Sequence, residues 1–423
     1  MSKYRRYERY KDSGVEWIGE IPEHWEVKKL KHISNITMGQ SPKSEECSLD
    51  EIGLPFLQGN AEFTSLHPIP KMYCNTANKF SKINDILLSV RAPVGAMNIS
   101  DRVYGIGRGL CAVTANKVQV RYLWYSMNVS LEELFIKSKG STFEAVTVTD
   151  VNNLLSILPP KKEQIAIANF LDQKTTEIDG LIADKEKLIE LLQEKRQAII
   201  SETVTKGLNP SVRMKDSGIE WIGDIPEHWD IRRIKYLSNI RNVKASDSDN
   251  DKTYVGLESI ESKTGKLLTN NNDEQQAVGE TANIFRKGDV LFGKLRPYLA
   301  KCIVADFNGR CTSELLVLRT ASNMLPEYLY LFMLSPIFID VVNSSTYGVK
   351  MPRASWDFIG NLKVPLPNIK EQEEIVEYLI KLTNNIDDLI SDISTQIQKL
   401  KEYRQSLISE AVTGKIDVGN LRI

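Results

Sequence analysis

The sequence predicts an α/β chain of mixed α+β character: two globular domains separated by two long antiparallel helices that form an intramolecular coiled coil. Three observations predict it. The stretch KDSGVEWIGEIPEHWEVKKLKHISNI at residues 11–36 returns at 215–240 as KDSGIEWIGDIPEHWDIRRIKYLSNI, with 17 of 26 positions identical. A second matched pair, LPPKKEQIAI at 158–167 and LPNIKEQEEI at 366–375, opens two long runs with heptad patterning. Between these constant stretches lie short β-rich runs bounded by Gly, Pro and Asn, each set followed by an amphipathic stretch. The chain is therefore two copies of one unit, constant at the ends and variant in the middle.

Taken in order, residues 1–158 form the first globular domain. Asp85–Val90 and Leu110–Thr114 read as strands, and RYLWYSMNVSLEELF reads as a helix with Leu123, Met127 and Leu131 four apart. Proline at 159 and 160 stops the preceding element. Residues 159–208 form the first long helix, roughly 40 residues and ~60 Å at the usual rise. Its seam steps by seven through Leu171, Ile178, Lys185, Leu192 and Ile199, with Leu181 and Leu188 expected at the companion position. Gly207 and Pro210 in GLNPSVRM end it. Residues 209–366 form the second domain, with a strand at Asp289–Phe292 and a helix at PEYLYLFMLSPIF. Its insertions Asp247–Lys252 and Thr269–Gln276 have no counterpart in the first domain. Residues 367–416 repeat the long helix with the seam Leu379, Ile386, Ile393, Leu400 and Leu407, and 417–423 are a tail. The two helices end alike, EKRQAIISETVT against EYRQSLISEAVT. A long helix with one thin apolar stripe needs a second helix beside it. Two such helices in one chain pair antiparallel, which creates an internal pseudo-twofold repeat.

Composition is that of an ordinary globular protein. Five cysteines form no CxxC pair, which points to a reducing, cytoplasmic setting and away from a disulfide framework or zinc knuckle. MSKYRRYERYKD lacks the apolar core of a signal peptide, and no apolar run approaches the ~18 residues of a membrane span. The net charge of −1 disfavours an autonomous nucleic-acid binder. Residues 1–160 hold 19 Lys/Arg against 17 Asp/Glu and residues 207–370 hold 21 against 19, whereas the helical segments are acidic. Any DNA contact would draw on a basic partner.

Motifs of chemistry fail one by one. GDVLFGKL at 288–295 spaces Gly288, Gly293 and Lys294 like a phosphate loop but ends on Leu295, where a magnesium-holding hydroxyl belongs. Asn209-Pro210-Ser211-Val212 lacks the second proline and aromatic of an adenine methyltransferase motif. GIGRG at 105–109 is not GxGxxG, and Glu261-Ser262-Lys263 has no upstream acidic partner. The four histidines form neither HExxH nor a triad; His24 and His228 sit in PEHW as parts of packed turns. No metal site is expected.

The repeated EWIG…PEHW stretch, the LPP–EQ–I helix start and the KGLNPSVRMKDSG junction resemble the specificity subunit of a type I restriction–modification system. The likeness covers nearly the whole chain. It implies two target recognition domains and two conserved helical regions in a non-catalytic subunit that reads double-stranded DNA. Each domain would read one half of an asymmetric bipartite site, while the paired helices set the spacer. The implied partners are two methylation subunits, joined by restriction subunits in the full complex. S-adenosylmethionine, ATP and magnesium would belong to those partners, and no cofactor to this chain.

Reading bases requires bidentate donors, and holding phosphates requires Lys, Arg, Ser, Thr and backbone amides. Polar loops offer Gln40, Ser41, Lys43, Gln58, Asn60, Lys79, Lys82, Arg91 and Arg108 in the first domain. The second offers Arg241, Lys244, Lys294, Arg296, Tyr347, Lys350 and Arg353. The clusters KKLK (28–31) and RRIK (232–235) recur, so any contact they make would position without specifying. Two other readings remain open at this point: a stand-alone DNA-modifying enzyme, and a coiled-coil adaptor that makes no direct DNA contact.

Overall fold

The computed structural model describes residues 4–43, 46–137, 146–246, 249, 251–268, 282–348 and 350–419. The insertion Thr269–Gln276 lies outside them, as do Asp247, Ser248 and Asn250 of the other insertion. The chain divides into two compact units, residues 1–184 with 396–423 and residues 185–395. This partition differs from the sequence segments, because each unit combines one globular domain with part of both long helices.

In the first unit a four-stranded antiparallel sheet runs in the order Ser34–Met38, Leu110–Ala115, Ile86–Ser89, Met97–Ile99. Ile86, Leu88 and Val113 pack on Leu123, Met127 and Leu131 of the helix Val120–Lys137. Leu87, Leu110 and Ala112 point the other way, onto Leu57, Tyr104 and Ile106. Both faces of the sheet are covered, which is why DILLSV is apolar almost throughout instead of alternating. The opposite face meets a second sheet, in which Gly105–Ile106 lies parallel to Leu54–Leu57, followed by Met72–Cys74 and Cys47–Ser48.

The second unit repeats the plan. Its central sheet is Ser238–Ile240, Leu315–Thr320, Val290–Gly293, Cys302–Val304, in the same order. The companion sheet has three strands, with Tyr254–Val255 parallel to Gly309–Cys311 and Asn283–Phe285 antiparallel to it. The expected helix PEYLYLFMLSPIF is in fact two, Pro326–Leu334 and Pro336–Ser344. Pro336 cannot donate a helical hydrogen bond and holds Ser335 in an extended conformation, so the first helix stops there. Val290–Gly293 is a buried strand paired on both sides, so the phosphate-loop look-alike is sheet.

The constant stretches close each domain on itself. Glu26–Lys29 pairs antiparallel with Leu155–Leu158, and Asp230–Arg233 pairs in the same way with Lys363–Leu366. The EQ pair then fastens the helix start. Buried Gln164 accepts from the Gln119 amide at 2.8 Å and donates to the Pro159 carbonyl at 2.7 Å. Gln372 accepts from the Leu325 amide at 2.9 Å and donates to the carbonyls of Pro367 and Asn323. One side chain thereby satisfies groups that neither helix nor sheet can pair.

The long helices span Lys161–Lys206 and Ile369–Val412. Within each unit they run antiparallel. In the first, Asp179 pairs with Arg404, and Tyr122 OH donates to the carbonyls of both Ile157 and Val412. In the second, Arg196 pairs with Asp387, and Tyr328 OH lies on the carbonyls of Val204 and Pro365. Leu171, Ile178, Leu379, Ile386, Ile393 and Leu407 are buried, while Leu192, Ile199 and Leu400 are half-buried. The companion positions require correction. Leu181 and Leu188 are 51% and 45% exposed, and the buried partners fall one residue later, at Thr175, Ile182, Arg196 and Thr203. A heptad seam alternates steps of three and four. Here the step from Leu171 to Thr175 is four, and leucine identity alone pointed to three.

Candidate nucleic-acid interface

In the first unit the polar loops gather at one end of the central sheet, where Ser34–Met38 ends and Leu110–Ala115 begins. The Gln40 amide donates to the Ile106 carbonyl, and the Gly107 amide to that of Leu57. Gln58 Nε2 donates to Ser41 Oγ at 2.8 Å, and the Arg108 backbone and Nε reach the same oxygen at 3.2 and 3.4 Å. The loop carrying Arg91 joins them, because the Val90 amide donates to the Gly109 carbonyl at 2.9 Å. Lys79 adjoins through the Ile106 amide, and Asn60 lies two residues beyond Gln58. Lys43 follows Ser41 on the way to Cys47–Ser48. Gln40, Lys79, Arg91 and Arg108 are exposed. Lys82 is not part of this group: it precedes the strand Ile86–Ser89 and Arg91 follows it, so the two flank opposite ends.

Glycine makes the convergence possible. A Cβ on Gly39 would lie 2.1 Å from the Gly107 carbonyl oxygen, and one on Gly109 would lie 2.6 Å from that of Gln58. Any side chain at either position would separate the loops.

The second unit brings Arg241, Lys244, Lys294, Tyr347 and Arg353 around a cavity of about 370 Å³, together with Asn242, Ser313 and Trp356. Three of these already hold a partner within the domain. Arg241 Nε donates to Asp289 at 2.8 Å, and the pair is nearly sealed, with side chains 14% and 3% exposed. Lys244 Nζ donates to Asn283 Oδ1 at 2.9 Å. Arg353 forks onto Glu314, which raises the pKa of the guanidinium through the hydrogen bond and the carboxylate charge. For Arg241 and Arg353, which the domain encloses or half-encloses, the carboxylate balances desolvation, whereas Lys244 is exposed. Lys294 and Tyr347 line the opening, Lys350 is exposed, and none of the three makes a side-chain hydrogen bond among the described residues. Arg296 is exposed and held at φ 50°, a left-handed conformation that its amide bond to the Pro352 carbonyl helps maintain. Candidate readers chosen as donors leave out the acceptors Asp289 and Glu314. Their signal in the sequence is position, since each directly precedes a strand of the central sheet.

The recurring PEHW turns lie against the helix start. Glu163 takes His24 Nε2 at 2.8 Å, Trp25 Nε1 at 2.9 Å and Tyr7 OH at 3.0 Å. Burial and then the Glu163 charge push the Tyr7 hydroxyl well above its usual pKa. Glu371 takes His228 at 3.0 Å, and buried Trp229 Nε1 has no partner among the described residues. Burial also pushes the Cys111 and Cys311 thiols up to about 12, which leaves them protonated at neutral pH. Among the described residues no three His, Cys, Asp or Glu side chains are grouped to hold a metal, and no helix is long and apolar enough to cross a membrane.

Residues 22–191 and 226–399 each match the family model described as type I restriction modification DNA specificity domain. The putative type I restriction enzyme MjaX specificity subunit of Methanocaldococcus jannaschii is 39% identical over 192 residues, 44% of this chain and 44% of that protein. The MjaVIII specificity subunit of the same organism is 25% identical over 95% of both chains. The EcoKI specificity subunit of Escherichia coli is 21% identical, covering 94% of this chain and 90% of that one. Among solved structures, one described as the structural basis of complex assembly and conformational transition of the type I R-M system superposes with a TM-score of 0.70. It is 16% identical and covers 93% of this chain and 98% of its own. The HsdS subunit from Thermoanaerobacter tengcongensis gives 0.50 at 17% identity, covering 94% and 98%.

Proposed function

This chain belongs to the type I restriction-modification DNA specificity family, and from that premise we propose that it is the DNA-reading subunit of such a complex. Each globular domain takes one half of an asymmetric bipartite site. The paired helices set the spacer and dock two methylation subunits, which restriction subunits join. The chain itself is non-catalytic, and S-adenosylmethionine, ATP and magnesium act on the partner subunits. One observation carries the reading: two domains share a strand order and a helix-start clasp yet present different polar groups at the corresponding sheet end. A common frame with divergent tips suits two readers of different sequences.

The test is a domain exchange. Residues 37–157 are replaced by the equivalent region of a relative, and methylated sites are mapped with the methylation partner present. One half-site changes and the other stays. A change in both halves, or in neither, sinks the modular reading.

A further inference from the structure

Arginine presents two edges, and in the second domain one of them is already occupied. Arg353 Nε lies 3.2 Å from each Glu314 carboxylate oxygen, and Nη2 lies 3.1 Å from Oε1. The carboxylate thus holds the Nε–Nη2 side of the guanidinium. Nη1 and the second hydrogen of Nη2 form the other edge, and Nη1 makes no hydrogen bond among the described residues. Two parallel N–H groups of this kind match the O6 and N7 acceptors of guanine in the major groove.

The backbone around the pair is fixed on every side. Arg353 and Tyr347 exchange amide and carbonyl hydrogen bonds, at 3.1 and 3.3 Å. Lys294 links the two partners, its amide donating to the Glu314 carbonyl and its own carbonyl accepting from Ala354. Both side chains stay accessible, 34% exposed for Arg353 and 23% for Glu314, and Arg353 lines the cavity with Lys294 and Tyr347. Arg241 on Asp289 uses the same side-on fork but is enclosed, so that pair braces the fold.

We propose that Arg353 reads a guanine in the half-site of the second domain and that Glu314 is the positioning residue that aims it. This rests on the functional reading above. The carboxylate cancels most of the guanidinium charge, so the pair gains little from phosphate and much from a base that satisfies both free N–H groups. Among the described residues the first domain has no equivalent pair. By sheet register the position of Glu314 corresponds to Gly109, where a Cβ would lie 2.6 Å from the Gln58 carbonyl oxygen. The main chain of Gln58 takes the place of the carboxylate, and the two half-sites differ at that point.

The test uses the full chain with its methylation subunits and a randomised duplex library, comparing wild type with Arg353→Lys, Arg353→Gln and Glu314→Gln. Arg353→Lys keeps the charge but loses the fork. It lowers preference for guanine at one position of one half-site about 10- to 100-fold, in line with the usual value of a bidentate base contact. Arg353→Gln abolishes the guanine preference at the same position. Glu314→Gln weakens that position by a smaller factor. Readout of the remaining positions of the same half-site stays intact and reports that the second domain of each variant folds. Unchanged preference at every position in Arg353→Lys, or uniform loss across the half-site, would overturn the proposal. A wild-type complex without bipartite preference would instead defeat the functional reading on which it rests.

Discussion

The two units carry the same ion pair at equivalent places on their helices, and the surroundings give it opposite characters. Asp179–Arg404 and Asp387–Arg196 are related by the 208-residue offset of the repeat. In the first unit the side chains are 53% and 29% exposed, and in the second both are 8%. The difference comes from the variable domain. In the second unit the loop after Ile260 folds over the helices, so that Arg196 Nη1 donates to the Lys263 carbonyl at 3.0 Å. Lys266 adds a second cation on Asp387 at the same distance. Tyr330 OH holds the loop through Thr264. The first domain reaches its helix by another route, from Arg121 and Tyr125 to Asp172, with Trp124 against the guanidinium. A constant helix therefore supplies the charges, and each variant domain decides whether they sit in water or in a low-dielectric enclosure.

The comparison can be broken most forcefully at that pair. Arg196→Ala strands Asp387 in a sealed site and should destabilise the second unit by about 3 kcal/mol, eased in part by Lys266. Arg404→Ala should lose no more than ~1 kcal/mol, because its pair is open to solvent. Urea midpoints read by hydrogen exchange in each unit separate the two, and equal losses would refute the account. The EQ clasp comes next. Gln372→Ala leaves the Leu325 amide and two carbonyls without their partner and should cost about 2 kcal/mol. Gln164→Ala, with one carbonyl fewer, should cost somewhat less. A larger loss from Gln164→Ala in thermal melts would contradict this ranking. The smallest effect sharpens the contrast at the helix ends. Gly207 and Gly414 both have positive φ, 74° and 72°, so alanine at either costs roughly 1 kcal/mol from backbone strain. At Gly414 the new methyl would also lie 2.4 Å from Pro22 Cδ, whereas at Gly207 the nearest atom is 3.1 Å away, on Trp229. Gly414→Ala should therefore lower the melting temperature further than Gly207→Ala, and the reverse order would count against the packing argument.

Much of the scaffold is legible in the chain because it is local or repeated. Heptad stepping marks both long helices, and the continuous apolar run DILLSV marks a strand covered on both faces. The candidate interface is legible only in part. Gln40, Gln58 and Arg108 lie about 20 to 70 positions apart and meet because three glycine-bearing loops share one sheet end, a sharing that depends on strand order. Arg241 and Arg353 look alike in sequence, yet one braces the fold and the other borders an opening, since the enclosing residues come from distant segments.

By itself the sequence determined that one plan is present twice and that long helices with apolar seams follow each domain. Periodicity and repetition are properties of the chain and need no third dimension. Tertiary structure decided which heptad companion is buried, which cations are paired and which remain available, and how differently two equal ion pairs are treated. Those outcomes depend on desolvation, and desolvation is set by neighbours that the order of residues does not place side by side.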